Sequence, residues 1–389
     1  MDKIVVLDFG SQYSHLICRR IRDFSVHAEL VPYDISLDEL NKLNPKGIIF
    51  SGGPSSVFNS DAPMPTKEIF QMQIPILGIC YGHQIIVNNF GGKVKRVNKE
   101  YGSAVLSIDD NSDIFSGVGD SIRAWMSHGD EAKLVPDNFE IIGHTENARA
   151  AAISNKQKAV YGIQFHPEVV HTENGNEILK NFILKVCHAN QDWTLERFVE
   201  NSIENISKLE GNILCGVSGG IDSTVTALLI HKAVKKRLKC IFVDNGLLRL
   251  NETKEIQDMF TKNFKVDFTK IDAQKQFLSK LKGVVDPEEK RMIIGEEFVK
   301  VFTKFAKSKG QFTWLAQGTL YPDVIESGVS KGPASVIKTH HNVGGLPDWL
   351  DLKVLEPLRD LYKDEVRKVA KIIGVPQSLL VRHPFPGPG

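Results

Sequence analysis

Unbroken apolar runs alternate along this chain with stretches whose apolar residues recur every three or four positions, and this pattern predicts strands and helices in turn. In the first half, Ile4 to Phe9, His27 to Val31 and Gly47 to Phe50 read as strands. Ser11 to Phe24 reads as a helix, and Ser36 as the cap of a short one with Asp38 and Glu39 in its first turn. A further apolar run from Ile74 ends in Gly78-Ile79-Cys80-Tyr81-Gly82, and another from Tyr161 leads into Phe165-His166-Pro167-Glu168. A mainly polar helix from about Gln191 to Glu210 joins the two halves.

Beyond it, Asn212 to Val217, Lys239 to Asp244, Lys265 to Ile271 and Phe312 to Ala316 read as strands. Helical spacing follows Val225, and helices are predicted over Glu252 to Phe264 and Pro287 to Lys309. Glu356 to Ile373 opens with a proline signal and becomes a basic amphipathic helix. The predicted class is α/β: two domains, 1–190 and 191–389, each a mainly parallel sheet flanked by helices, with ligands at the strand C-termini. From Tyr321 to Trp349 no periodicity survives, which predicts a lid over about 320–350.

Composition narrows this little. The 389 residues suit two domains, and 42% hydrophobic with 24% charged is ordinary for a globular chain. A net charge of +1 gives no reason to expect nucleic acid or a membrane as partner. No apolar run approaches the ~20 residues of a membrane span. The N-terminus enters a strand at once, without the form of a signal peptide. Five scattered cysteines with no C-x-x-C predict a reduced, cytoplasmic protein.

Two strand-to-helix turns carry the candidate chemistry. Ser218-Gly219-Gly220-Ile221-Asp222-Ser223 lets the backbone approach a ligand and aims helix-start N–H groups at an anion. It lacks the lysine of the G-x-x-x-x-G-K-[ST] phosphate loop. Asp222 can cap the helix or meet a phosphate-bound cation. Gly78-x-Cys80-x-Gly82 has the form of a nucleophile elbow with cysteine in place of serine. Taken alone it also fits a buried structural cysteine. His166 and Glu168 supply a base and its orienting carboxylate, which favours the nucleophile reading. Val243, Asp244 and Arg249, at the end of a parallel strand, are nucleotide-site candidates. His340 and His341 are adjacent, but no further ligand has metal spacing.

The Ser218–Ser223 string resembles the loop of the ATP pyrophosphatase family, which implies cleavage of ATP to AMP and pyrophosphate and an adenine nucleotide alpha-hydrolase-like fold. Gly78–Gln84 and Phe165–Glu168 resemble the class I glutamine amidotransferases. That likeness implies glutamine hydrolysis through a thioester on Cys80. It also implies an oxyanion hole at Gly53 with the Tyr81 N–H, and glutamine contacts at Gln84, Ser127, His128 and Asp130. Val243–Arg249, Gln317–Ser327, Lys338–Gly345 and the terminal Arg382–Gly389 string together resemble the glutamine-hydrolysing GMP synthase family.

That resemblance implies that ATP adenylylates XMP and that ammonia then displaces AMP. It implies ATP contacts at Ser218, Gly219, Gly220, Ile221, Asp222, Ser223, Val243, Gln317 and Gly318. Arg249, Arg291, Asp323, Glu326, Lys338, His340 and His341 fall on the lid or XMP side. Mg²⁺ accompanies ATP at Asp222, and no tightly bound organic cofactor is expected. Members of this family continue past the terminal proline–glycine string into a domain that dimerises and helps bind the XMP phosphate, so either a two-domain portion of a longer protein or a chain whose remaining part is supplied by a separate chain is expected, with weak XMP affinity by itself. The alternatives are a related amidotransferase with another acceptor and a nucleotide-binding protein without synthase activity.

Overall fold

The computed structural model describes residues 1–309, 312–323 and 352–380. The chain divides into two compact units, Met1–Trp193 and Thr194–Gly389.

The first unit is built on nine strands: β1 (Lys3–Asp8), β2 (His27–Pro32), β3 (Gly47–Phe50), β4 (Ile76–Ile79), β5 (Lys93–Ile108), β6 (Ser121–Leu134), β7 (Glu140–His144), β8 (Ala152–Asn155) and β9 (Val160–Ile163). They form one sheet in the order β2-β1-β3-β4-β9-β8-β7-β5-β6. From β2 to β9 every pair is parallel, and beyond β9 every pair is antiparallel. The composition of each part explains the difference. Ile4, Val5, Val6 and Leu7 of β1 are all fully buried, as expected for a parallel strand covered on both faces. β6 instead alternates buried and half-exposed positions, the pattern of a strand with one face in water.

The sequence reading names the parallel strands but not the antiparallel ribbon. Lys93, Lys95, Arg96 and Glu100 interrupt β5, and its register shifts between Arg96 and Glu100. Ser36 caps Leu37–Leu43 as predicted, accepting from the Glu39 N–H while the Glu39 carboxylate accepts from the Ser36 N–H.

The second unit holds five strands: β10 (Ile213–Gly216), β11 (Leu238–Asp244), β12 (Phe268–Asp272), β13 (Trp314–Ala316) and β14 (Lys353–Leu355). All pair in parallel, in the order β12-β11-β10-β13-β14. The chain leaves β10 towards one edge and returns to its other side at β13. The strand order therefore reverses between β10 and β13, where such sheets open a crevice at their C-terminal ends. Two helices depart from the sequence reading. The helix from Glu252 loosens into a π-helical turn at Met259–Asn263. Glu356 to Leu361 forms turns, and the helix begins only at Lys363, where the Glu365 carboxylate accepts from the Tyr362 N–H. Pro357 keeps Glu356 out of helical backbone.

Candidate active site

Parallel pairing of β4 with β9 sets Ile79 opposite Ile163, so the residues that follow both strands meet at one end of the sheet. The Cys80 N–H donates to the Ile163 carbonyl at 2.8 Å. Cys80 itself holds φ +53° and ψ −101°, a conformation uncommon outside glycine, and stands immediately before the helix Tyr81–Asn89. The two flanking glycines make this turn possible. A Cβ on Gly78 would lie 2.4 Å from the Gly82 carbonyl oxygen, and one on Gly82 would lie 2.5 Å from that of Phe50. Gly82→Ala is therefore expected to destabilise this unit by about 1–3 kcal/mol, measured by urea unfolding, because the blocking atoms are backbone.

The Cys80 side chain is 5% exposed, and its Sγ lies 3.4 Å from the Ser127 carbonyl and 3.7 Å from the Gln164 Nε2. His166 follows β9; its backbone N–H donates to the Trp125 carbonyl, and Thr172 Oγ1 donates to the His166 carbonyl at 2.6 Å. Its Nδ1 meets the fully buried Glu168 carboxylate at 2.8 Å. Burial alone would lower the His166 pKa. The charge of Glu168, with bonds to Cys80 and Glu168, outweighs burial and raises it well above 6.5. Two other histidines in this unit behave oppositely. Burial pushes His83 down to about 3 and lowers His128, although Glu100 stands 3.0 Å from the His128 ring. Among the described histidines whose pKa is shifted, His166 is the one that is raised.

Gly52 and Gly53 follow β3, on the other side of β4 from β9. A Cβ on Gly52 would come 3.1 Å from the His166 Cε1 and 3.8 Å from the Cys80 Cβ; one on Gly53 would strike the Phe9 carbonyl at 2.6 Å. The Tyr81 hydroxyl donates to the Pro63 carbonyl. Gln84 donates to the Asp130 carbonyl at 2.9 Å, tying the helix to β6 beside Ser127 and His128.

In the second unit, Ser218 to Gly220 crosses from β10 to the helix Ile221–Val234. Hydroxyls brace the loop: Ser223 Oγ accepts from the Ser218 N–H at 3.1 Å, and the Thr224 hydroxyl donates to the Gly220 carbonyl at 2.9 Å. Gly219 holds φ +80°, and a Cβ there would strike Ile256 at 2.3 Å. Gln317 and Gly318 follow β13 alongside, and a Cβ on Gly318 would lie 3.2 Å from the Ser223 nitrogen. The Asp222 Oδ2 is ion-paired with Lys363, while its Oδ1 is buried without a hydrogen-bond partner. Val243 is 7% exposed at the end of β11. Burial would raise the adjacent Asp244, but the Gly246 N–H, Thr253, Gln274 and Lys270 together hold it below the ordinary range.

The remaining candidates are not gathered at the loop by the bonds described for them. The Arg249 N–H donates to Glu252, Arg291 pairs with Glu288 one turn away on its own helix, and Asp323 accepts from the Leu320 N–H. Glu326, Lys338, His340, His341 and Arg382–Gly389 lie outside the described residues. Three neighbours of the candidate residues are missing from the sequence reading. Gln164 lies past the end of β9, and its place two residues before His166 gave no signal of its contact with Cys80. Lys363 stands in a helix first turn, where acidic residues are favoured, so its charge was a visible anomaly. Gly52 gave no signal beyond its glycine neighbour.

A model of the class I glutamine amidotransferase family matches residues 5–186, and a model of the NAD synthase family matches residues 193–300. A glutamine-hydrolysing GMP synthase of Brachyspira hyodysenteriae is 52% identical over 392 residues, covering 100% of this chain and 76% of the relative. Those of Acetivibrio thermocellus and Clostridium kluyveri are 50% and 48% identical, again over 100% of this chain and 76% of theirs.

Proposed function

The chain belongs to the glutamine-hydrolysing GMP synthase family, an enzyme of glutamine-dependent GMP synthesis that uses ATP, and from that premise we propose how its residues divide the work. Residues 1–190 hydrolyse glutamine, and residues 191–389 activate XMP. Cys80 attacks the carboxamide carbon of glutamine, and the oxyanion is held by Gly53 and the Tyr81 N–H. His166 gives its proton to the departing ammonia, leaving a glutamyl thioester. It then takes a proton from the water that releases glutamate. Glu168 fixes the ring and favours its charged form. Gln84, Ser127, His128 and Asp130 hold the substrate.

In the second unit, the Ser218–Ser223 loop cradles the pyrophosphate of ATP, with Val243, Gln317 and Gly318 beside the adenosine. The xanthine oxygen of XMP attacks the α-phosphorus, pyrophosphate leaves, and ammonia displaces AMP. Arg249, Arg291, Asp323, Glu326, Lys338, His340 and His341 are assigned to the lid or XMP side.

Among the described residues no group of three or more His, Cys, Asp or Glu could hold a metal by itself. A Mg²⁺ arriving with the phosphates needs only one or two carboxylates from the protein, and the unpartnered Asp222 Oδ1 fits that need. When bound, it would neutralise phosphate charge. No helix among the described residues is long and apolar enough to cross a membrane. A cytoplasmic location is proposed from the scattered, buried, free thiols.

The observation that carries the glutaminase reading is the Glu168-raised His166 set beside a positive-φ cysteine. Glu168→Gln tests it. Because folding raises the His166 pKa, its contribution to stability is complete below about pH 6.5 and is lost as pH rises through the higher folded value. The variant's loss of stability should therefore be greatest near pH 5–6.5 and shrink towards alkaline pH, while glutamine hydrolysis at neutral pH falls about 10²-fold or more. A stability loss that does not vary with pH would show that the two side chains are merely packed together.

A further inference from the structure

Gln164 lies between β9 and His166, and its role is open. It directly follows the last residue of β9, and its neighbours Ile163 and Phe165 are both fully buried in the core. Its backbone N–H donates to the Ala151 carbonyl at 2.8 Å, and the residue is 1% exposed. One end of its amide reaches the nucleophile, with Nε2 at 3.7 Å from the Cys80 Sγ. The other end, Oε1, is buried without a hydrogen-bond partner. An unpaired buried amide oxygen is a cost that an apolar side chain of the same size would avoid. The sulfur is the partner that offsets this cost.

The sulfur has a second neighbour of the other kind: the Ser127 carbonyl, 3.4 Å from Sγ, can only accept, whereas the Gln164 amide can donate.

We propose that Gln164 is a positioning residue for the nucleophile, whose amide N–H holds the Cys80 sulfur in place beside the Ser127 carbonyl. The proposal rests on Cys80 being the nucleophile. Gln164 acts through the sulfur and leaves proton transfer to His166.

Iodoacetamide alkylation of the full chain, followed at Cys80 by peptide mass spectrometry, tests it. Cys18, Cys187, Cys215 and Cys240 are all buried and serve as internal references. Gln164→Met keeps the length and removes the donor. Its Cys80 should alkylate about ten-fold more slowly at pH 7, with glutamine hydrolysis reduced in kcat more than in KM. Gln164→Glu, which sets a negative charge beside the sulfur, should alkylate more slowly still. Thermal unfolding within a few degrees of the wild type qualifies either variant. Wild-type alkylation across the pH range in a folded variant that has lost hydrolysis would overturn the proposal, and so would faster alkylation in Gln164→Glu. A wild-type Cys80 no more reactive than the four reference thiols would instead overturn the nucleophile assignment beneath it.

Discussion

Cys80→Ala should stop GMP synthesis from glutamine while leaving synthesis from supplied ammonia intact. The thioester needs the sulfur, and no neighbouring group can replace it: the Ser127 contact is a backbone carbonyl and the Gln164 contact an amide. Loss of the nucleophile from a unit of cooperating residues typically costs about 10⁴-fold or more in turnover. The substitution should fold, because it removes one atom from a turn fixed by Gly78, Gly82 and the bond from the Cys80 N–H to Ile163. XMP activation is proposed to use residues of the second unit alone, so external ammonia should bypass the defect. The check is GMP formation with glutamine against ammonium chloride at saturating ATP and XMP. A folded variant that has lost both activities would contradict the proposed division of work.

Asp222→Asn should lower ATP turnover by about 10²–10³-fold, with glutamine hydrolysis in the first unit unaffected. Asn preserves shape but removes the negative charge that pairs with Lys363 and offers Oδ1 at the start of the helix Ile221–Val234. A cation accompanying the phosphates would lose its carboxylate, and Lys363 would lose its counter-charge. Product analysis is part of the same experiment. The loop has no lysine after its glycines and resembles the pyrophosphate cradle of the ATP pyrophosphatases, so wild-type enzyme should yield AMP and pyrophosphate when XMP is present. ADP and phosphate as the products would sink the assignment.

What was legible in the sequence follows from the physics of each element. Parallel strands buried on both faces read as unbroken apolar runs, and both glycine turns lie directly after such a run, so β4 and β10 could be placed together with the residues that follow them. The long ribbon β5–β6 could not. One of its faces meets water, its register slips near Arg96, and its polar positions resemble surface loops. Spatial adjacency was the harder quantity. Cys80 and His166 come together because β4 and β9 are sheet neighbours, a fact of topology that only the paired motifs hinted at. Lys363 reaches Asp222 across 141 residues of sequence, and local pattern has no term for that closure. Arg291, placed on the lid or XMP side by the resemblance, has its described ion pair with Glu288 one turn away.

In the proposed division of work, nitrogen freed at Cys80 reaches the nucleotide activated in the second unit. GMP made from amide-¹⁵N glutamine in unlabelled ammonium buffer, read by mass spectrometry, should carry ¹⁵N from the wild-type enzyme and only ¹⁴N from Cys80→Ala. Labelled GMP from Cys80→Ala, or unlabelled GMP from the wild type while glutamine is being consumed, would contradict it.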